Sequence, residues 1–258
     1  MMKGIMRAAF LGIAFLLFTI GRAFSQKQET RALIVLTSTS TMIGANSRTG
    51  YRLKDAIHPY YIFLQAGFTV EFASPEGGRP PLEPGSIDST DAWTRFFFTD
   101  TLLQGLLSRT IPSRALDPER YDIVLFAGGH GALWDFLADT NLHSLTARIF
   151  GKRGIVAAVG QGAAVLLNTK LSDGNYIYVG SRLTASSDEE EEREGVLFNL
   201  PYMLETALRR GGGIYFKAPP FTPNVIPEHR LITGQNSASA LGVAKAVVET
   251  WKRLRTEK

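Results

Sequence analysis

The sequence predicts an α/β protein built on a mostly parallel sheet with helices on both faces. Short apolar, β-branched runs alternate with segments of helical spacing: ALIVLT at 32–37, DIVLF at 122–126 and IVAAV at 155–159. Apart from Thr37 and Asp122 at their ends, these runs are apolar at consecutive positions rather than at every second residue, as strands buried on both faces are. Two of them lead directly into glycine-rich turns, AGGHG and GQGAA. In a parallel sheet, ligands bind beyond such carboxyl ends of strands.

Residues 1–25 read as a signal peptide. Lys3 and Arg7 form a positive start, AAFLGIAFLLFTIG is an apolar stretch, and Ala23-Phe24-Ser25 places small residues before Gln26. The apolar run from Ala8 to Ile20 falls short of the ~20 residues that span a bilayer, which favours cleavage over an anchor. No cysteine follows, so a lipoprotein is excluded. Export to the periplasm or the exterior is expected, with no membrane association after cleavage.

The remainder, 26–258, reads as a single domain without repeats or linkers. After the strand at 32–37, helical spacing runs from Asp55 to Ala66, with Pro59 in the first turn and Gly67 as the stop. FTVEFA (68–73) is the next strand, and PEGGRPPLEPGS is a loop by composition. A helix is expected over Asn141–Phe150, and another begins at Gly162–Asn168. A polar insertion of hairpin character follows (LSDGNYIYVGSRLTA), then the acid run Asp188–Glu192 and a helix at Pro201–Arg210. A short strand at Leu231–Thr233 and an amphipathic helix over Ser237–Leu254 close the chain.

Composition narrows the function. Of the formal +4 charge, Lys3, Arg7 and Arg22 carry three, which leaves +1 once the first 25 residues are removed. No basic stripe interleaved with aromatics is present, so nucleic acid is not an expected partner. The chain has no cysteine at all. Disulfides, thiolate metal sites and thiol nucleophiles are excluded together.

The two glycine turns carry the chemistry. Gly128, Gly129 and His130 follow DIVLF, and consecutive glycines there let backbone N–H groups act as oxyanion donors. A tight strand–helix turn is the plain alternative. The second turn, Gly160-Gln161-Gly162 after IVAAV, has the shape of a nucleophile elbow, in which one side chain stands exposed at a helix start. A carboxamide there is neither a nucleophile nor a base at neutral pH.

Long ordered strings around these turns resemble the PfpI superfamily of class-I glutamine-amidotransferase-like proteins. The likeness is to the branch of glyoxalase III and heat-shock chaperones, a group that includes the Parkinson-linked deglycase. The strings are TGYRLKDAIHPYYIFLQAGFTVEFASPEGGRPPLEP, YDIVLFAGGHGALWDFLAD, GIVAAVGQGAAVLLN, LTASSD with EEEEREG, and LITGQNSASA. The resemblance covers about Arg31 to Trp251 and implies a three-layer sandwich with a mostly parallel, flavodoxin-like sheet. It lays the family's nucleophilic cysteine on Gly160, its catalytic histidine on Gln161, and the acid that contacts the cysteine on Asp55. The acid that orients the histidine falls on Glu191, with Glu190 and Glu192 as neighbouring registers. Gly128, Gly129, His130 and Trp134 match the family's binding loop.

Loss of both nucleophile and base implies an exported, non-catalytic protein that binds a small polar or carbonyl compound, as a homodimer, without cofactor or metal. Two alternatives stand beside it. One is a glyoxalase III-, deglycase- or hydrolase-like enzyme acting on small carbonyls such as methylglyoxal without cysteine. The other is a holdase chaperone. His130 with Asp55 and Glu191 is a weak acid–base or metal candidate, because metal sites need three or more convergent ligands. His58 reads as a packing or capping residue, and His143 and His229 as surface residues.

Overall fold

Alternation along each central strand divides the core in two. In the strand Arg31–Val35, Ala32 and Ile34 join one apolar cluster, while Leu33 and Val35 join the other. Ile123 and Leu125 likewise face away from Val124 and Phe126, and Ile155, Ala157 and Val159 away from Val156 and Ala158. A strand apolar at every position needs cover on both sides, and that need sets the three layers.

The computed structural model describes residues 29–43 and 47–256, so the proposed signal peptide lies outside the described residues. The main sheet has seven strands, labelled β1 (Arg31–Val35), β2 (Thr69–Ser74), β3 (Ile111–Pro112), β4 (Ile123–Phe126), β5 (Ile155–Val159), β6 (Val225–Glu228) and β7 (Leu231–Gly234). Their spatial order is β6-β7-β5-β4-β1-β2-β3. All pairings are parallel except β6 with β7. The helices are α1 (Leu53–Gln65), α2 (Ala92–Phe97), α3 (Thr101–Leu107), α4 (Ala132–Ala138), α5 (Thr140–Gly151), α6 (Asp188–Arg193), α7 (Leu204–Arg210) and α8 (Ala240–Thr256). α1 and α8 pack together over one face, and α4, α5 and α7 cover the other. This is the three-layer, mostly parallel, flavodoxin-like α/β arrangement that the sequence predicts. Among the described residues, no helix is long and apolar enough to cross a membrane.

Several local expectations are corrected. α1 starts at Leu53, so Pro59 lies inside the helix rather than in its first turn. The run after β5 is a 3-10 helix over Gly160–Asn168, tighter than the expected α-helix. The polar insertion makes only a bridge between Lys170 and Tyr176, and Arg182–Leu183 pairs in parallel with Ile214–Tyr215 instead of closing a hairpin. α2, α3 and the edge strand β6 fall where no element is expected from the sequence. α2 and α3 are short helices, each capped by an aspartate, Asp91 and Asp100, which accept from Thr94 N and Leu103 N.

Candidate functional site

The carboxyl ends of β4 and β5 bring both glycine turns to one place. Gly160 has φ +52, the left-handed conformation of an elbow, and a Cβ placed there would meet nothing nearer than Gln235 O at 3.8 Å. The turn therefore keeps the backbone and the room for a side chain, without carrying one. Gly129 has φ +124, and a Cβ on it would lie 2.1 Å from Gly50 O, so only glycine fits where this loop passes the start of α1.

Asp55, Gly128, Gly129, His130, Gln161 and Glu191 are brought together. Gly128 N–H donates to Asp55 Oδ2 at 3.1 Å, and Gly129 N–H donates to Gln161 Oε1 at 3.1 Å. His130 N–H donates to Glu83 Oε2 at 2.7 Å. All three backbone donors of the loop are thus committed to side chains, rather than open to an oxyanion. Gln161 is committed as well: its Nε2 donates to Glu191 Oε1 at 2.8 Å and to Ser186 Oγ at 3.2 Å. Ser186 Oγ also donates to Glu191 Oε1. In the acid run, α6 begins with a capping box between Ser187 and Glu190. That box turns Glu191 inward and leaves Glu192 exposed.

His130 lies in a ring of carboxylates. Its Nδ1 is 3.1 Å from Glu83 Oε1, and its Nε2 is 2.8 Å from Glu191 Oε2 and 3.3 Å from Glu194 Oε2. Both ring nitrogens face acceptors, so both carry protons and the ring is an imidazolium. Burial alone would lower its pKa, but the hydrogen bonds to Glu191, Glu194 and Glu83 outweigh burial and push it up to about 11. Arg52 closes the cluster, with Nη2 2.5 Å from Glu194 Oε2 and Nε 3.2 Å from Glu83 Oε1. Burial would raise the Glu194 carboxyl, but His130 and Arg52 bring it down to about 2. Ligand atoms of His130, Glu191 and Glu194 lie within 4.8 Å of one another and could meet on a cation. The imidazolium and the Arg52 guanidinium already supply positive charge to these carboxylates.

Asp55 has the opposite environment. It is buried on α1, and burial raises its pKa to about 6 against the lowering effects of Ser237, Arg52 and Gly128 N–H. Among the described residues, its Oδ1 has no hydrogen-bond partner within bonding geometry.

Trp134 stands apart from these groups. It is half-buried on α4 and packs against the apolar cluster that α4 and α5 cover. His58 is buried, with Nε2 3.1 Å from Asp91 Oδ1, and His143 is half-buried against Phe136 O. His229 is exposed. Arg52, Glu83, Ser186, Glu194 and Ser237 complete the site and escape a reading by local pattern. Glu83 sits in a proline-rich loop, and only its burial distinguishes it.

No family model matches the chain. It is similar to a probable glutathione-independent glyoxalase, hsp3103, of Schizosaccharomyces pombe, 29% identical with 78% of this chain and 89% of the relative covered. It is also similar to the glutathione-independent glyoxalase HSP31 of Saccharomyces cerevisiae, at 27% with 86% and 98% covered. Among solved structures, the Rapid Encystment Protein 24 kDa of Francisella tularensis is 32% identical with a TM-score of 0.82, over 86% of this chain and 98% of that one. A ThiJ/PfpI domain protein of Brachyspira murdochii, 18% identical over 87% and 98% of the two chains, shares the fold with a TM-score of 0.59. These relatives overturn the expectation of a non-catalytic binding protein: the curated ones are named as glyoxalases, and they favour the glyoxalase III-like alternative. With a solved relative 32% identical over nearly its whole length and an elbow preserved in backbone, the chain belongs to the PfpI superfamily.

Proposed function

We propose that the protein is a glutathione-independent, glyoxalase III-type enzyme that converts small 2-oxoaldehydes such as methylglyoxal to 2-hydroxy acids without a thiol. The observation that carries this reading is Asp55: a buried carboxyl with one oxygen unpaired, near a turn whose side-chain position is vacant. The names of the curated relatives support the substrate class.

The reaction needs a base that moves one proton between neighbouring carbons. After an oxygen adds to the aldehyde carbon, Asp55 takes the hydrogen of that carbon as a proton, leaving an enediol, and returns it to the former ketone carbon. One carbon is oxidised and its neighbour reduced, one water is consumed, and no external redox partner is required. With a pKa of about 6, Asp55 is mostly ionised at neutral pH yet basic enough to accept a proton. In the His130 cluster the imidazolium and the Arg52 guanidinium are offset by Glu83, Glu191 and Glu194, so the cluster holds the frame of the site rigid and Asp55 carries the chemistry.

The test is methylglyoxal consumption by purified protein without glutathione, with lactate as the measured product. Turnover should rise as pH increases through about 6, where Asp55 ionises. Asp55→Asn should lower kcat at least about 100-fold, the usual scale for a lost general base. Absence of lactate, or an Asp55→Asn protein as active as the parent, refutes the reading.

A further inference from the structure

The side chain missing at Gly160 has a candidate replacement one strand away. β7 pairs with β5 in parallel, with Gly234 level with Val159, so the residues that follow the two strands emerge side by side. Asn236 Cα lies 3.9 Å from the position a Cβ on Gly160 would take. Asn236 is firmly held: its Nδ2 donates to Glu190 Oε1 at 2.7 Å and to Thr222 O at 2.9 Å. Its Oδ1 accepts from Ser239 Oγ at 3.1 Å. Its carbonyl accepts from Ser239 N at 2.8 Å. The next residue is Ser237, whose buried Oγ, like Asp55 Oδ1, has no partner in bonding geometry among the described residues. Ser237 is also the side chain that most lowers the Asp55 pKa, which places its hydroxyl beside that carboxyl. Buried hydroxyls and carboxylates are nearly always paired. Here the hydroxyl and the carboxyl oxygen have only each other, outside ideal hydrogen-bond geometry, so a nucleophile and a base stand paired one residue from the vacant elbow position.

We propose that Ser237 is the nucleophile of this site, with Asp55 as its base and the aldehyde carbon of a small 2-oxoaldehyde as its target. The proposal rests on the glyoxalase reading and names the group that starts the reaction. Ser237 Oγ bonds to the aldehyde carbon as the carbonyl π bond breaks, and the hydroxyl proton passes through Asp55 to the carbonyl oxygen, giving a hemiacetal. Asp55 then moves the remaining hydrogen of that carbon, as a proton, to the ketone carbon. The product is an ester of the 2-hydroxy acid on Ser237. Water cleaves the ester, which releases the acid and restores the hydroxyl.

The experiment compares the full protein with Ser237→Ala and Ser237→Cys, using methylglyoxal without glutathione, and records lactate and intact mass after acid quench. The wild type should gain the mass of one rearranged substrate molecule on Ser237, removable by hydroxylamine. Ser237→Ala should lose at least about 100-fold in kcat with its melting temperature unchanged. Ser237→Cys should keep turnover and become sensitive to iodoacetamide, to which the cysteine-free parent is indifferent. Full turnover by Ser237→Ala overturns the nucleophile and leaves the glyoxalase reading standing. If the wild type makes no lactate, that reading fails; an adduct on Ser237 would still sustain the nucleophile, and its absence would overturn it. Should Ser237→Ala not fold, an active Ser237→Cys that stays active once fully alkylated overturns the proposal.

Discussion

Replacing Asp55 by asparagine isolates the energetic cost of keeping an ionised carboxylate under α1. In the folded protein the carboxyl titrates at about 6, against 3.8 as a free side chain. A raised carboxylate contributes its stability fully below the unfolded value and loses it as pH rises through the folded value. A tenfold change in acidity corresponds to about 1.4 kcal/mol, so Asp55 in its ionised form costs about 3 kcal/mol at neutral pH. Asparagine keeps the acceptor for Gly128 N–H and carries no charge, and its amide can donate to Ser237. The assay is urea unfolding of both proteins from pH 4 to pH 8. The stability of Asp55→Asn relative to the parent should rise by about 2.5 kcal/mol across that range, with most of the change between pH 4 and pH 6.5. Asp135, a buried carboxyl also raised to about 6, is common to both proteins and cancels in the difference. A difference that stays flat with pH would refute a raised titration at Asp55. A gain in stability combined with a loss of turnover is the trade expected of a group placed for chemistry.

The remaining predictions concern the cluster and the turns. His130→Ala leaves Glu83, Glu191 and Glu194 facing one another without their central cation, so it should cost about 3–5 kcal/mol at pH 7 in chemical denaturation. The imidazolium's own contribution is present below its unfolded value of 6.5 and lost as pH rises through about 11, so wild-type stability should decline between pH 7 and pH 11. Gly160→Ala should fold with a loss of about 1–2 kcal/mol, since only the left-handed backbone resists a Cβ there. Gly129→Ala should yield no folded protein, because its Cβ would meet Gly50 O at 2.1 Å; thermal melts of the two variants decide the comparison.

The chain alone determined the layers and the place of the site. Runs such as IVAAV, apolar at every position, leave no polar edge to face water, and the strands they form end in glycine-rich turns, of which the one at Gly129 admits no larger residue. Local pattern also exposed what the elbow lacks, because Gly160 and Gln161 are read directly. What covers that gap was decided by tertiary structure. Glu83 comes from a loop without periodicity, Arg52 from the cap of α1, and Ser237 from the end of a neighbouring strand. Their convergence depends on strand order and register, which link residues far apart in the chain and leave no trace in local spacing. The same holds for charge. Asp55, Glu191 and Glu194 are alike as carboxylates in sequence. Burial without a full set of partners leaves the first poised near neutral pH, while His130 and Arg52 hold Glu194 ionised.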